Sequence, residues 1–362
     1  MNNLDSKLRN TPLYPLRFQP IYKNYLWGGN RFRDLFHRSI PAENDNDIIA
    51  ESWEISDHPY GISVIQNGLL SGFTLRDILL SHPHELFGTD YIDPNALPKR
   101  FPLLLKYLDA AQPLSIQVHP DNIFTKEWAL GDLGKTEAWV VVDAEPGSII
   151  WIGTRQSYTA KEQEQLIRDG NWESLLNPIT VQTGDCFFIP PGTLHALGAG
   201  VFVSEIQTSS NITFRIFDWN RLDHEGKLRE LKIEEGIRVL RNPSLPVTAQ
   251  QPVKTGDIHC EQLLIDTNFT INRWTLNEPN IWYNDCRCHL WTVLEGTLII
   301  AFTAGRRIDM KSSRRELDPD AIEILQRGDS ILIPAMCRHF HCIPENCSRT
   351  VFLDVLPANC LF

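Results

Sequence analysis

The sequence predicts a mainly β protein: two copies of a β-barrel or sandwich, carrying a few short helices. Three observations predict it. Apolar runs of four to eight residues, rich in Val, Ile and aromatics and bounded by Gly, Pro, Asp or Asn, recur from Pro102 onward, the signature of a sandwich or barrel. Helical patterns are few in a chain with 23 prolines and 21 glycines. Residues 183–195, TGDCFFIPPGTLH, are echoed by residues 327–339, RGDSILIPAMCRH. Placing Gly184 on Gly328 also matches Asp, Ile, Pro and His, at an offset of 144 residues. Each copy reads as a Gly-Asp turn, a strand ended by Pro, and a loop leading to His.

Taken in order, the elements are as follows. Trp27-Gly28-Gly29 and Glu51-Ser52-Trp53-Glu54 belong to an N-terminal segment laid over the first barrel, with Trp as core aromatics. A helix is expected at Leu75–Phe87. The runs LLLKYLDA, LSIQVH, EAWVVVDA and SIIWIG are strands. Tyr158–Leu176 breaks the pattern with one or two helices, capped by Thr159. DCFFIP, FVSEIQ and TFRIFDW resume the strands, and a helix lies around Lys232–Leu240. Asn242–Asp257, rich in Pro, Gln and Thr, is a connection. FTINRWTL, HLWTVLEGTLIIAF, AIEILQRGDSILIP and RTVFLDVL complete a second set of strands. An N-terminal domain over 1–245 and a C-terminal domain over 257–362 are therefore expected.

With 34 basic and 45 acidic residues, the net charge is −11. That balance argues against nucleic acid or an anionic membrane as partner, since both attract basic surfaces. No stretch approaches the roughly 20 apolar residues of a membrane span. The N-terminus lacks the apolar core of a secretory signal. The eight cysteines, at 186, 260, 286, 288, 337, 342, 347 and 360, are then expected as free thiols of a cytoplasmic protein. Cys286-x-Cys288 with Cys337, Cys342 and Cys347 lacks the CxxC spacing of a metal cluster.

The chemistry concentrates in the first copy. Gly184, Pro190, Gly192 and His195 fill the pattern G-x5-P-x-G-x2-H, in which a Gly turn aims an imidazole into a barrel mouth. That pattern resembles the second cupin motif, and the chain is accordingly expected to hold two cupin-like jelly-roll barrels. Gln117 and His119 share a strand face by their i, i+2 spacing. Glu137 follows His119 by 18 residues, enough for a turn and a return strand. Two imidazoles, a carboxylate and an amide oxygen suit Zn²⁺, with Fe²⁺, Mn²⁺ or Co²⁺ as alternatives. A polar barrel mouth without a metal is the competing reading. In the second copy Met336 stands where the first has Gly192, and His339 lacks partners like Gln117 and His119. That barrel is expected to be degenerate and metal-free.

WGG, IAESWEISDH, FPLLLKYLDA, LSIQVHP, GKTEAW, GDCFFIPPGTLHALGAG, SEIQTSSNITFRIFDW and RELKI occur in this order. Together they resemble type I mannose-6-phosphate isomerases in their shorter bacterial form, over residues 18–240 and more loosely over 257–362. The resemblance implies interconversion of mannose 6-phosphate and fructose 6-phosphate with one divalent metal per chain, usually zinc. It implies Gln117, His119, Glu137 and His195 as ligands, with Gln117 absent from some descriptions of the short forms. It implies Arg215 as the active-site arginine, Lys135 as a catalytic or substrate-binding group, and Lys106 and Ser115 near the sugar-phosphate site. Where short forms often read SDTTYR, this chain has Asn211 and Phe214 in place of the Asp and Tyr. The isomerisation passes through an enediol, whose developing charge a metal and a fixed cation stabilise. Arg215 keeps its charge and suits that role. The base is left open between Lys135 and a water activated by the metal. Rival readings are an Fe²⁺ dioxygenase of cupin type and a non-catalytic sugar-binding protein. Oligomeric state is not legible.

Overall fold

The computed structural model describes residues 3–40, 48–90, 99–222, 225–241, 247–302 and 322–358. Cys360 and residues 242–246 of the expected connection lie outside them. The chain groups into two compact units, one of residues 21–53 and 103–251, the other of residues 1–20, 54–102 and 252–362. The expected connection thus contains one crossing between units, at 251/252. Residues 1–20 and 54–102 group with the C-terminal strands, and backbone pairing shows why. Leu16 and Leu332 exchange hydrogen bonds of 2.8 and 2.9 Å, and Arg17 pairs with Asp329 at 2.9 Å.

The 21–53/103–251 unit is built from two antiparallel sheets. One runs Ile21–Lys23, Glu51–Ile55, Leu103–Ala110, Val201–Thr208, Glu137–Ala144, Cys186–Ile189. The other runs Phe214–Phe217, Ile116–Val118, His195–Leu197, Ile149–Thr154, Leu176–Thr180. Leu108, Trp139, Val141, Ile150, Ile152, Phe187, Val201 and Val203 form a core with Trp27. Trp27 and Trp53 are buried aromatics, as expected. All eight residues of Val201–Thr208 are buried, because both faces are covered. On the face opposite Val201 and Val203, Phe202 packs against Phe32, Phe36 and Tyr107. Helices Ala160–Arg168, Trp172–Leu175 and Ile233–Val239 supply Ile167, Leu175 and Val239 to a second cluster with Ile116, Val118 and Ala196.

The expected helix at 158–176 is two helices, Ala160–Arg168 and Trp172–Leu175. Thr159 caps the first in a reciprocal box with Glu162. The one at 75–87 divides into Leu75–Ser81 and Pro83–Phe87, since Pro83 suits the start of a helix and not its interior. Helices at Asn3–Asn10, Arg31–Asp34 and Asn122–Glu127 were not anticipated.

The other unit repeats the plan. A sheet runs Val253–Lys254, Cys260–Ile265, Phe269–Leu276, Thr350–Pro357, His289–Glu295, Ser330–Ile333. Its companion runs Asn280–Tyr283, His339–Pro344, Leu298–Ala301, Ile322–Leu325. The repeated Gly-Asp turns share their backbone geometry at Gly and their Asp hydrogen bond. Gly184 and Gly328 take φ of 94° and 89°, a region that favours glycine. Asp185 accepts from the Gln182 N–H and Asp329 from the Gln326 N–H, both at 2.9 Å.

Candidate metal centre

On four strands of the first unit, the face that is apolar in the core turns polar farther along. Leu108 and Ala110 give way to Lys106, Trp139 and Val141 to Glu137, Val201 and Val203 to Glu205 and Gln207, and Leu197 to His195. The period of two puts each polar residue on the inward face. Register then aligns them. Gln117 pairs with His195 on one side and with Arg215 on the other, and Glu205 lies opposite both Lys106 and Trp139.

His119, Glu137 and His195 are buried, and their ligand atoms lie within 4.8 Å of one another. Glu137 Oε1 is 3.1 Å from His195 Nε2, and Oε2 is 3.6 Å from His119 Nε2. Two ligands about 2.0–2.2 Å from a tetrahedral ion stand roughly 3.3–3.6 Å apart, so the spacing fits one ion. The hydrogen bonding fits as well. His119 Nδ1 donates to the Ile212 carbonyl at 2.8 Å and His195 Nδ1 to that of Thr193 at 2.9 Å. Each bond fixes a tautomer that leaves the Nε2 lone pair facing inward. His119 Nε2 and both Glu137 carboxylate oxygens are buried with no well-aligned hydrogen bond, Oε2 meeting only the Lys135 ammonium at 2.7 Å. Unsatisfied buried acceptors call for an explanation, and a cation between them supplies one.

Gln117 Nε2 lies 3.2 Å from His195 Nε2, while its Oε1 accepts from the Ser115 hydroxyl at 3.3 Å. Ser115 accepts in turn from Arg215 Nε at 3.2 Å. The structure therefore joins Arg215, Ser115, Gln117 and His195 in one chain of contacts. Lys135 Nζ is 2.7 Å from Glu137 Oε2 and 3.2 Å from Glu205 Oε1. Lys106 Nζ reaches the same Glu205 oxygen at 3.2 Å and Glu51 at 3.3 Å. Trp139 Nε1 donates to the other Glu205 oxygen at 2.9 Å. All eight residues singled out from the sequence thus sit in one connected network.

Electrostatics follow from burial and pairing. Burial would raise the Glu137 carboxyl, but the Lys135 ammonium prevails and holds it well below the usual range. Burial, with Lys135 adding to it, lowers His119 to about 3 and keeps it neutral. Burial works against the Lys106 charge, yet Glu205 and Glu51 hold it above its ordinary value. Burial lowers the Arg215 guanidinium, and Arg229 adds to the effect. Among the described residues, Asp218 pairs with Arg221 and Arg229 rather than with Arg215.

Gly192 behaves as its motif requires. Its φ is 80°, and an added Cβ would stand 2.7 Å from the Val239 carbonyl oxygen. Glu205 was missed by sequence reasoning, although a lone carboxylate amid FVSEIQ, in step with the inward valines, is a legible signal. Glu51 was noted only with its neighbours as packing, and its pairing with Lys106 gives it a place in the site.

Two barrel-like β units, one with a His–Glu–His cluster at the polar end of its core that could hold a metal ion, define a cupin-type protein. A family profile described as "Phosphomannose isomerase type I, catalytic domain" matches residues 15–132. The probable mannose-6-phosphate isomerase GmuF of Bacillus subtilis is 38% identical over 265 residues, covering 73% of this chain and 80% of that protein. Mannose-6-phosphate isomerase of Streptococcus mutans is 38% identical over 263 residues, covering 73% and 79%. The crystal structure of mannose 6-phosphate isomerase from Bacillus subtilis matches with a TM-score of 0.81 at 29% identity, covering 94% of this chain and 99% of that one. The chain belongs to the type I phosphomannose isomerase family.

Proposed function

We infer that the protein interconverts mannose 6-phosphate and fructose 6-phosphate at the centre formed by His119, Glu137 and His195. The observation that carries this reading is the convergence of three inward metal-ligand side chains, two of them with buried unsatisfied atoms, with Lys135, Lys106 and Arg215 at one end of a buried core. Two imidazoles and a carboxylate suit zinc. Gln117 is the fourth candidate ligand, through an amide that now faces His195 with its nitrogen. When bound, the metal polarises the sugar's carbonyl and hydroxyl oxygens as a Lewis acid.

The chain's own residues do the rest. A proton leaves C2 of the aldose and returns at C1, while a hydroxyl proton passes from O2 to O1. We assign the carbon-bound proton to Lys135: its ammonium passes one proton to Glu205 Oε1, 3.2 Å away, takes the C2 proton on the lone pair so freed, delivers it to C1 and recovers its own from Glu205. Arg215, fixed through Ser115, stabilises charge on the enediol oxygens without needing to reorganise. Ser115 and Lys106 are assigned to the substrate wall. Two of the three Lys106 donors are engaged by Glu51 and Glu205, leaving one N–H for substrate. In this reading catalysis belongs to the N-terminal domain expected over 1–245, and within it to the unit of residues 21–53 and 103–251, which holds all eight site residues. The substrate is a soluble sugar phosphate, and no helix among the described residues is long and apolar enough to cross a membrane.

The test is a coupled assay of fructose 6-phosphate conversion by the metal-free protein reconstituted with zinc. Turnover that requires metal and strongly prefers phosphorylated mannose over free mannose is expected, because phosphate binding energy helps orient the reacting carbons. Equal kcat/KM for the two sugars would remove the phosphate from the argument. Oxygen consumption with no isomerisation would favour a dioxygenase.

A further inference from the structure

The loop that carries Lys135 is held at nearly every peptide group. The Leu133 carbonyl accepts from the Ser210 hydroxyl at 2.6 Å. The Gly134 N–H donates to Asn122 Oδ1 at 2.8 Å, and the Lys135 N–H to the Pro120 carbonyl at 2.9 Å. A Cβ on Gly134 would stand 2.4 Å from the backbone of Asp121 and Asn122. That approach is open only to glycine. The Thr208 hydroxyl donates to the Gly134 carbonyl at 2.9 Å and accepts from the Thr136 N–H at 3.1 Å. The Thr208 N–H donates to the Thr136 carbonyl at 3.0 Å. One buried side chain therefore clasps the chain on both sides of Lys135. Thr208 also ends the strand that bears Glu205, the second carboxylate beside the Lys135 ammonium.

The 207–212 segment secures this clasp from behind. Gln207 Nε2 donates to the Ser210 carbonyl at 2.6 Å and to that of Thr208 at 3.0 Å. The Asn211 N–H donates to Asp132 at 2.9 Å. Ile212 supplies the carbonyl that orients His119. The segment in which this chain departs from SDTTYR thus ties one candidate ligand and Lys135 to the same support.

We propose that Thr208 is a positioning residue for the isomerisation, its hydroxyl presetting Lys135 against Glu137 so that turnover needs no ordering of this loop. The proposal rests on the functional reading that Lys135 handles the migrating proton. Thr208→Val keeps the shape of the side chain and removes the hydroxyl. With zinc loaded, kcat for mannose 6-phosphate is expected to fall about 10–100-fold with KM little changed, as for misplacement of a catalytic group. Zinc content stays at the wild-type level, and amide hydrogen exchange of Gly134 and Thr136 accelerates. Thr208→Ser restores both turnover and protection. Wild-type kcat and exchange in Thr208→Val would overturn the proposal, as would a fall in kcat matched by equal loss of zinc or of folded protein in both variants. Should Thr208→Val not fold, Asn122→Ala opens the other side of the clasp, and the same split between kcat and KM decides. Lys135→Met separates the two levels: full turnover there refutes the role of Lys135, whereas lost turnover there with an unaffected Thr208→Val refutes Thr208 alone.

Discussion

Replacing His289 with Gln probes the ionic core of the second unit. His289 Nδ1 lies 2.7 Å from Asp354 and Nε2 lies 3.1 Å from Asp285. Trp282 packs edge-on against the ring at 4.8 Å. Burial alone would lower the imidazole, but the carboxylates of Asp354 and Asp285 prevail and raise it from 6.5 to about 9. The folded state therefore binds this proton more tightly than the unfolded chain, by about 3 kcal/mol. The sign follows from the direction. The stabilisation is fully present below about pH 6.5, declines as pH rises, and is gone above about pH 9. Burial opposes ionisation of Asp285, but His289 and Arg287 hold its carboxyl below the ordinary range. Its own contribution is thus constant across that window. Calorimetry of wild type and His289→Gln from pH 6 to 10 measures the effect. The wild type should lose about 3 kcal/mol relative to the variant between pH 6.5 and 9.5. Parallel curves would show that His289 is neutral when folded and refute the reasoning.

Three further outcomes are expected. His119→Ala and His195→Ala should each lose most bound zinc by elemental analysis, together with the rise in Tm that zinc gives the wild type. Arg215→Ala should keep metal and fold while kcat drops roughly 100–1000-fold, about 2.7–4 kcal/mol, as for loss of one preorganised charge stabiliser; near-normal turnover in steady-state kinetics would make Arg215 structural. Gly192→Ala should lower stability by about 1–3 kcal/mol in denaturant titration, the usual cost of forcing a side chain into this region of φ.

The sequence announced the strands of both units because their apolar runs carry period-two patterning between Gly and Pro punctuation. It announced the candidate ligands because Gly192 and the Gln-x-His pair use local geometry, one turn or one strand face. Glu205 escaped notice because its role depends on which strands lie beside it. Register against Leu103–Ala110 and Glu137–Ala144 brings Lys106, Trp139 and Lys135 to one carboxylate, and no spacing within FVSEIQ encodes that. Grouping of residues 1–20 and 54–102 with the C-terminal strands was illegible for the same reason. A single hydrogen-bonded pair such as Leu16–Leu332 joins positions more than 300 residues apart. Short helices such as Asn122–Glu127 were missed because so few residues show no period, although Asp121 caps this one through the Phe124 N–H.

The repeat also shows how one frame carries opposite charge patterns. Gln117 pairs with His195, and Tyr283 pairs with His339. Two residues on, His119 in the first unit corresponds to Asp285 in the second. Glu137 lies opposite Ile189, and His289 lies opposite Ile333, the isoleucine matched by the repeat. Glu205 lies opposite Trp139 and accepts its indole N–H; Asp354 lies opposite Trp291 and does the same at 3.1 Å. Lys106, opposite Glu205, becomes Asn272, opposite Asp354. The first unit thus has a buried carboxylate facing imidazoles and lysines, where the second has a buried imidazole held by two carboxylates. A proton on His289 satisfies the second arrangement from within the chain. In the first, His119 Nε2 and Glu137 Oε1 are acceptor atoms that no N–H or O–H of the chain satisfies. The Trp–carboxylate pair common to both belongs to the frame. The difference between a metal-ligand cluster and an internal ion pair comes down to which residues stand at the Glu137 and His119 positions. His195, fully buried, and His339, exposed, diverge accordingly. With Asp285 and Asp354 both committed to His289, nothing in the second cluster requires an imidazole from His339.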